Sequence, residues 1–263
     1  MEKIIRIAID GSNVKSGGGI RYLLNLIDSL GESKSVIKIH VLSNEVLTPV
    51  LPNHVKISVK NSPNNLIGFL LWHFLGYKKW LHDNECDLLF IAGSLYLGGF
   101  RPYVAVFHNL LPFDTKQIMR YRNLKTITRL LVLRILQTIT FKRAYSVIFM
   151  NNYCLRKVQK MCGLHPNKLE VFPIYFRQKK HTALNARING KNSVFRVLYV
   201  STIDMYKNQW HVISAIQLLK ELGILVSLDI VGGMSNNQAR KEMMASLRNS
   251  ELSACDVKIH GNV

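Results

Sequence analysis

Acidic residues are scarce in this chain. Asp and Glu together number 16, against 35 Lys and Arg in 263 residues, so the formal net charge is +19. Such a surface attracts polyanions, whether nucleic acid, anionic lipid or phosphorylated substrates, and charge alone does not choose among them. The basic residues are spread along the chain and form no long tract. Cysteine is sparse as well. Cys86, Cys154, Cys162 and Cys255 form no CxxC pair, and no His/Cys cluster has zinc spacing. Each cysteine reads as a small buried hydrophobe in a reducing, cytosolic compartment, and no metal site is expected. Long apolar runs are missing: the most apolar stretch, Leu66 to Leu75, is far short of the ~20 residues that a spanning helix requires. It reads as a core helix, so the expectation is a protein that does not span a membrane but could lie on one. Met1-Glu2-Lys3 leads straight into an apolar strand, and no cleaved leader is expected. Two common nucleotide signatures are also absent. No GxGxxG follows the first strand, and no Walker-type GK[ST] follows the Gly17-Gly18-Gly19 run.

Strands and helices alternate almost throughout. Ile4 to Ile9 is a near-continuous apolar run ending in Asp10-Gly11, which suits a parallel strand buried on both faces. Ser16-Gly17-Gly18-Gly19 follows, then a helix with Ile20, Leu23, Leu24, Ile27 and Leu30 at helical spacing and Gly31 as its stop. Further strands are predicted at Ile37–Leu42, Val55–Val59, Asp87–Ile91, Tyr103–Phe107, Ser146–Met150 and Leu169–Phe172. Residues 178–193 are polar and basic without apolar period and read as a linker. Alternation restarts with strand Arg196–Val200, helix Trp210–Leu222, strand Val226–Val231, helix Asn237–Arg248 and strand Val257–His260. The pattern predicts an α/β protein of two Rossmann-like domains, 1–177 and 194–263, with the second sheet only half wound at Gly261-Asn262-Val263.

Four features could carry chemistry. Gly18 and Gly19 stand between a buried strand and a helix start, where backbone N–H groups can approach an anion, or where the chain simply turns tightly. His108 ends the strand Tyr103–Phe107, at the edge where open α/β sheets bind ligands; a lone histidine there is also a common structural residue. Lys207 in Ser201-Thr202-Ile203-Asp204-Met205-Tyr206-Lys207-Asn208 lies near a helix start beyond a strand end. It can neutralise a phosphate there, or be a solvated surface lysine. Gly232 and Gly233 end another strand, suiting close approach of a ligand or a plain turn.

Taken in order, these motifs resemble the group 1 (GT4-type) glycosyltransferases of the GT-B fold. The motifs are the glycine loop, the strand ending in His108, Leu169-Glu170-Val171-Phe172-Pro173, Leu198-Tyr199-Val200-Ser201-Thr202 with Lys207-Asn208, Leu228-Asp229-Ile230-Val231-Gly232-Gly233 and Val257-Lys258-Ile259-His260-Gly261-Asn262-Val263. The resemblance runs the length of the chain. It implies retaining transfer from a nucleotide-diphosphate sugar, without metal or other cofactor, to a glycan or lipid-linked acceptor in surface polysaccharide synthesis. It assigns His108 to the donor sugar and Lys207 to the diphosphate. Gly18, Gly19, Ser201, Thr202, Asn208, Gly232 and Gly233 fall around the donor.

Two departures from the family pattern stand out. Many members have Gly-Arg where this chain has Ser201-Thr202, which leaves diphosphate neutralisation to Lys207 or to an arginine from elsewhere. The Glu-x7-Glu segment is absent, and Glu242 and Glu251 do not replace it, so residues 1–263 alone are expected to be inactive as a transferase. The competing readings are a truncated, inactive transferase, a basic nucleic-acid-binding protein without any helix-turn-helix, zinc or RNP signature, and a nicotinamide-dependent oxidoreductase lacking its fingerprint.

Residues 115–143 read as one or two helices. Arg122, Lys125 and Arg129 recur at three- and four-residue steps, with Leu124, Ile127 and Leu131 on a neighbouring face. A basic helix face beside an apolar one suits an anionic membrane surface, here the inner face of the cell membrane, or else packs its apolar side on the sheet.

Overall fold

A computed structural model describes residues 4–14, 18–32, 37–53, 55–59, 75–93, 95–173, 194–234 and 236–262. The expected linker 178–193, the start of the glycine run (Ser16, Gly17) and the apolar stretch 66–75 apart from Leu75 lie outside them.

The chain forms β1 (Ile5–Asp10), α1 (Gly18–Gly31), β2 (Ile37–Ser43), β3 (Lys56–Val59), α2 (Tyr77–Asp83), β4 (Leu88–Ile91) and β5 (Tyr103–Phe107). These are followed by α3 (Thr115–Ile118), α4 (Leu124–Arg143), β6 (Ser146–Phe149), α5 (Asn152–Cys162) and β7 (Leu169–Val171). The order of this first, all-parallel sheet is β3-β2-β1-β4-β5-β6-β7. From β1 the chain winds outward through β2 and β3, then returns to add β4 on the other side of β1. That reversal opens a crevice at the carboxyl ends of β1 and β4, the usual place for a ligand in such sheets.

The strands are apolar on both sides because both faces are covered. Ile7 and Ile9 of β1 pack with Leu23 and Ile27 of α1. Ala8 between them belongs to the opposite cluster, with Tyr77 and Leu81 of α2. Leu23 and Ile27 are one helical turn apart, so a single stripe of α1 is buried. The second cluster is heavily aromatic: Phe107 meets Phe113, Phe141 and Phe149 with ring centroids 5.2–5.9 Å apart. Helix α5 is bounded by local chemistry at both ends. The Asn151 side chain accepts from the Cys154 amide, and Gly163 leaves the helix in the left-handed conformation at φ 61°.

The second sheet consists of β8 (Phe195–Val200), β9 (Val226–Val231) and β10 (Val257–Gly261), in the parallel order β10-β9-β8. It carries α6 (Gln209–Glu221) and α7 (Asn237–Arg248). Ile213, Ile216, Leu228, Ile230, Ala239 and Met243 form its interior. Among the described residues β8 pairs only with β9, and Phe195, Leu198 and Val200 are exposed on it.

The compact units are Met1–Phe113 with Arg129–Arg177, and Asp114–Thr128 with Gln178–Val263. A first domain running unbroken to residue 177 was expected. Instead the segment Asp114–Thr128 clusters with the second sheet, for reasons that lie in its polar side chains. The cysteines divide: Cys86 and Cys162 are buried, Cys154 is half-buried and Cys255 is exposed, so the expectation of burial fails for Cys255.

Helix α4 also corrects an expectation. Asn123 caps its start, its side chain accepting from the Lys125 amide at 2.9 Å. Arg122 precedes the helix, with its own amide donating to Gln238 Oε1 at 2.9 Å. It therefore cannot share a helical face with Lys125 and Arg129. The buried side of α4 is Leu130, Gln137, Thr140 and Phe141. Leu124, Leu131, Val132, Ile135 and Ile139 are exposed along the other side, beside exposed Lys125, Arg129, Lys142 and Arg143.

Candidate functional site

In the first unit the turn from β1 into α1 is held from within. Asp10, at the end of β1, is buried and accepts from the Ser12 amide at 3.0 Å and the Ser12 hydroxyl at 2.6 Å. Burial, together with that carboxylate, raises the Tyr77 hydroxyl far above the usual phenol range. Asn44, just past β2, spans the turn. Its amide donates to the carbonyls of Gly11, Ser12 and Val14 at 3.0–3.2 Å, and its oxygen accepts from the Val46 and Leu47 amides. This one side chain satisfies backbone groups that a turn between two buried elements would otherwise leave unpaired.

Gly18 and Gly19 are not in that turn; they are the first residues of α1. A Cβ on Gly18 would meet nothing within 4 Å, whereas one on Gly19 would touch Val14 at 3.3 Å. His108 stands at the carboxyl end of β5, with its ring edge-on to Tyr22 at 4.9 Å between centroids. Tyr22 is one helical turn beyond Gly18, so the histidine and the helix start occupy the same end of this sheet. Desolvation lowers the His108 pKa below its ordinary value and pushes Tyr22 up to about 12. Both side chains are therefore neutral at pH 7 and offer hydrogen bonds rather than charge.

In the second unit the loop after β8 is folded against the loop after β9. The Ser201 amide donates to the Val231 carbonyl and the Ile203 amide to the Gly233 carbonyl, both at 2.9 Å. Gly232 has φ 148°, and a Cβ there would overlap the Ser201 carbonyl. A Cβ on Gly233 would press on the Asn262 side chain at 2.8 Å. Ser201, Thr202, Gly232 and Gly233 thus form one backbone surface that requires glycine.

A short 3-10 turn at Met205–Lys207 then leads to α6. Gln209 is fully buried and donates its amide to the Thr202 carbonyl at 2.9 Å, while the Tyr199 hydroxyl donates to the Lys207 carbonyl at 3.0 Å. These bonds fix the backbone on which Lys207 and Asn208 stand. The Lys207 ammonium lies 5.0 Å from the Tyr206 ring centroid.

The segment Asp114–Thr128 belongs to this second group. Its Tyr121 hydroxyl donates to Asp204 Oδ1 at 2.7 Å, and burial, with this bond second, raises the Tyr121 pKa. Arg120 donates to Asn208 Oδ1 at 2.7 Å and lies over the Trp210 ring, 5.5 Å from its centroid. Gln238 of α7 donates to the Arg120 carbonyl at 2.9 Å.

The expected site residues therefore fall into two groups. Gly18, Gly19 and His108 are brought together in the first unit, and Ser201, Thr202, Lys207, Asn208, Gly232 and Gly233 in the second. Sequence reasoning missed Asp10, Asn44, Arg120 and Tyr121. Among the described residues no group of His, Cys, Asp and Glu is arranged to hold a metal ion. No helix among them is long and apolar enough to cross a membrane.

The family model described as Glycosyltransferase Family 4 matches residues 16–174, well over half of the chain. No curated protein matches at a significant level. Among solved structures, a sucrose-phosphate synthase from Thermosynechococcus elongatus aligns with a TM-score of 0.68 at 14% identity, over 98% of this chain and 71% of its own. WaaG, a glycosyltransferase involved in lipopolysaccharide biosynthesis, aligns with a TM-score of 0.64 at 15% identity, over 98% and 70%. A glycosyltransferase from Rickettsia africae ESF-5 aligns with a TM-score of 0.59 at 13% identity, over 99% and 69%. At such identities the structural likeness establishes the shared GT-B fold.

Proposed function

The chain belongs to Glycosyltransferase Family 4, and from that premise we propose that it transfers a sugar, with retention of configuration, from a nucleotide-diphosphate donor to a glycan or lipid-linked acceptor of a surface polysaccharide. The observation that carries this reading is the loop 201–208. Its glycine-dependent backbone, Lys207 and the start of α6 stand together at the carboxyl ends of β8 and β9, where a diphosphate would meet positive charge. As the bond from the anomeric carbon to the donor phosphate breaks, negative charge grows on the diphosphate, and Lys207 stabilises it. Neutral His108 beside the start of α1 hydrogen-bonds the sugar. No metal or other cofactor enters this scheme. The test is the anomeric configuration of the product made by a full-length version that supplies the Glu-x7-Glu segment, read from the proton coupling of the new linkage. An α-linked donor should give an α-linked product, and a β-linked product overturns the retaining assignment.

The acceptor reading extends to the cytoplasmic face of an anionic membrane. Support comes from α4, whose exposed Leu131, Val132, Ile135 and Ile139 run beside basic residues in a chain of net charge +19. Each basic residue near an anionic surface contributes about 1 kcal/mol. Replacing Lys125 and Arg129 by Gln should weaken co-sedimentation with phosphatidylglycerol-rich vesicles by roughly 30-fold. Ile135→Asp should weaken it further, and neutral phosphatidylcholine vesicles should not bind. Unchanged sedimentation of both variants removes α4 as the contact.

A further inference from the structure

A nucleoside diphosphate leaves with more negative charge than one ammonium offsets. Between β8 and α6 the sequence supplies a single cation, Lys207. We propose that Arg120, carried to this loop on the segment Asp114–Thr128, is the second cation that binds the donor diphosphate. This rests on the reading of the Lys207 loop given above.

The placement of Arg120 is fixed by neutral partners. Its guanidinium donates to Asn208 Oδ1 and to Gln117 Oε1, both at 2.7 Å, and stacks over Trp210. Its backbone carbonyl is held by Gln238. Both side-chain acceptors are amide oxygens, so they orient the fork without cancelling its charge. Among the described residues Arg120 forms no ion pair. The carboxylate closest in sequence to Asn208 is Asp204, and it is otherwise engaged. Its Oδ1 accepts from the Tyr121 hydroxyl at 2.7 Å, the Met205 amide at 2.6 Å and the Asn236 amide at 2.8 Å. The one acid of the loop is thus directed to these three donors and, among the described residues, makes no ion pair with Arg120 or Lys207.

A second consequence of the Arg120–Asn208 bond concerns α6. Asn208 is the residue that precedes the helix, and asparagine there ordinarily turns its oxygen onto the first-turn amides. Here it adopts the left-handed conformation at φ 57° and makes no side-chain cap, and its oxygen is taken by Arg120. The first-turn amides of a 13-residue helix therefore keep their partial positive charge uncapped by Asn208, immediately beside Lys207. Arg120 is bonded to the side chain of Asn208, the residue between Lys207 and the start of α6, and a planar fork together with a point charge suits the two phosphates of one diphosphate.

The test is calorimetric titration of the full chain with UDP, GDP and ADP, and with the matching nucleosides. Arg120→Gln should weaken the diphosphate that binds wild type best by roughly 10- to 100-fold while leaving the nucleoside unaffected. Arg120→Lys should recover part of the loss. Tyr121→Phe releases the same segment from Asp204 without removing charge, and should cost less than threefold. If Arg120→Gln binds like wild type while Lys207→Ala is weakened, Arg120 is not in the site and the reading of Lys207 stands. Loss of binding by Tyr121→Phe equal to that of Arg120→Gln makes the segment a structural support only and overturns the proposal. Should neither Arg120→Gln nor Lys207→Ala weaken any of the diphosphates, the loop itself is not the donor site and the proposal falls with it.

Discussion

In a full-length version that supplies the Glu-x7-Glu segment, replacing Lys207 by alanine should lower kcat/KM for the nucleotide sugar by about 100- to 1000-fold, the usual cost of deleting one group that stabilises developing charge. The matched control is Lys191→Ala, which removes the same charge from the polar stretch 178–193 and should change kcat/KM by less than about twofold. The contrast tests position rather than net charge, since both variants lose one unit from a strongly basic protein. The backbone at Lys207 is held through its carbonyl by Tyr199 and from the next turn by Gln209, so alanine leaves the loop in place. Steady-state kinetics should place much of the loss in kcat, because the charge on the diphosphate grows as the bond breaks. A loss confined to KM would make Lys207 a ground-state binder, and equal kinetics for the two variants would remove it from the site.

The second large effect concerns structure. Gly232→Ala should destabilise the second unit by at least about 3 kcal/mol, combining backbone strain at an unfavourable φ with steric overlap. At φ 148° an L-residue is strained whatever space surrounds it, and here the added carbon would overlap the Ser201 carbonyl. Gly223 separates the two costs. It also has positive φ, 75°, but a Cβ there would meet nothing within 4 Å. Gly223→Ala should therefore cost only about 1–2 kcal/mol, the price of the left-handed conformation alone. Denaturant unfolding monitored through Trp210 in a Trp72→Phe, Trp80→Phe background compares them. Similar midpoints for the two variants would mean that the loops after β8 and β9 separate easily, and that Ser201 and Gly232 do not form a fixed surface.

Much of the fold could be read from the chain because buried parallel strands are written as apolar runs. Ile4–Ile9 and Tyr103–Phe107 are legible for the same reason that their side chains divide between two covered faces. The glycine-bearing strand end at Gly232-Gly233 and the lysine ahead of α6 were legible too, since both sit where a strand pattern stops and a helical one starts. What escaped was polar and distant. Asn44 reads locally as an ordinary turn residue, and nothing in its neighbours indicates that it spans the turn from Gly11 to Val14. Arg122 looked like part of a basic helical stripe because spacing alone cannot register that Asn123 caps the helix just beyond it. The attachment of Asp114–Thr128 to the second unit depends on single hydrogen bonds between residues more than eighty positions apart, and no periodicity encodes them.

That attachment has a consequence for the order in which the protein is made. Synthesis delivers Tyr121 well before its partner: 83 positions separate it from Asp204, and 116 separate Arg122 from Gln238. While the first sheet condenses around β5 and α4, the intervening segment must stay out of that core, with its acceptors still inside the ribosome. Its composition suits the wait, since Gln117, Arg120, Arg122 and Asn123 are well hydrated and offer little to a premature collapse. Once β8, β9 and α7 emerge, closing the long loop carries an entropic cost that grows only slowly with its length. The second unit therefore completes its loop 204–208 with material supplied from far upstream, and a gene cut at the linker would yield a β8–β10 sheet whose Asp204 lacks the Tyr121 hydroxyl.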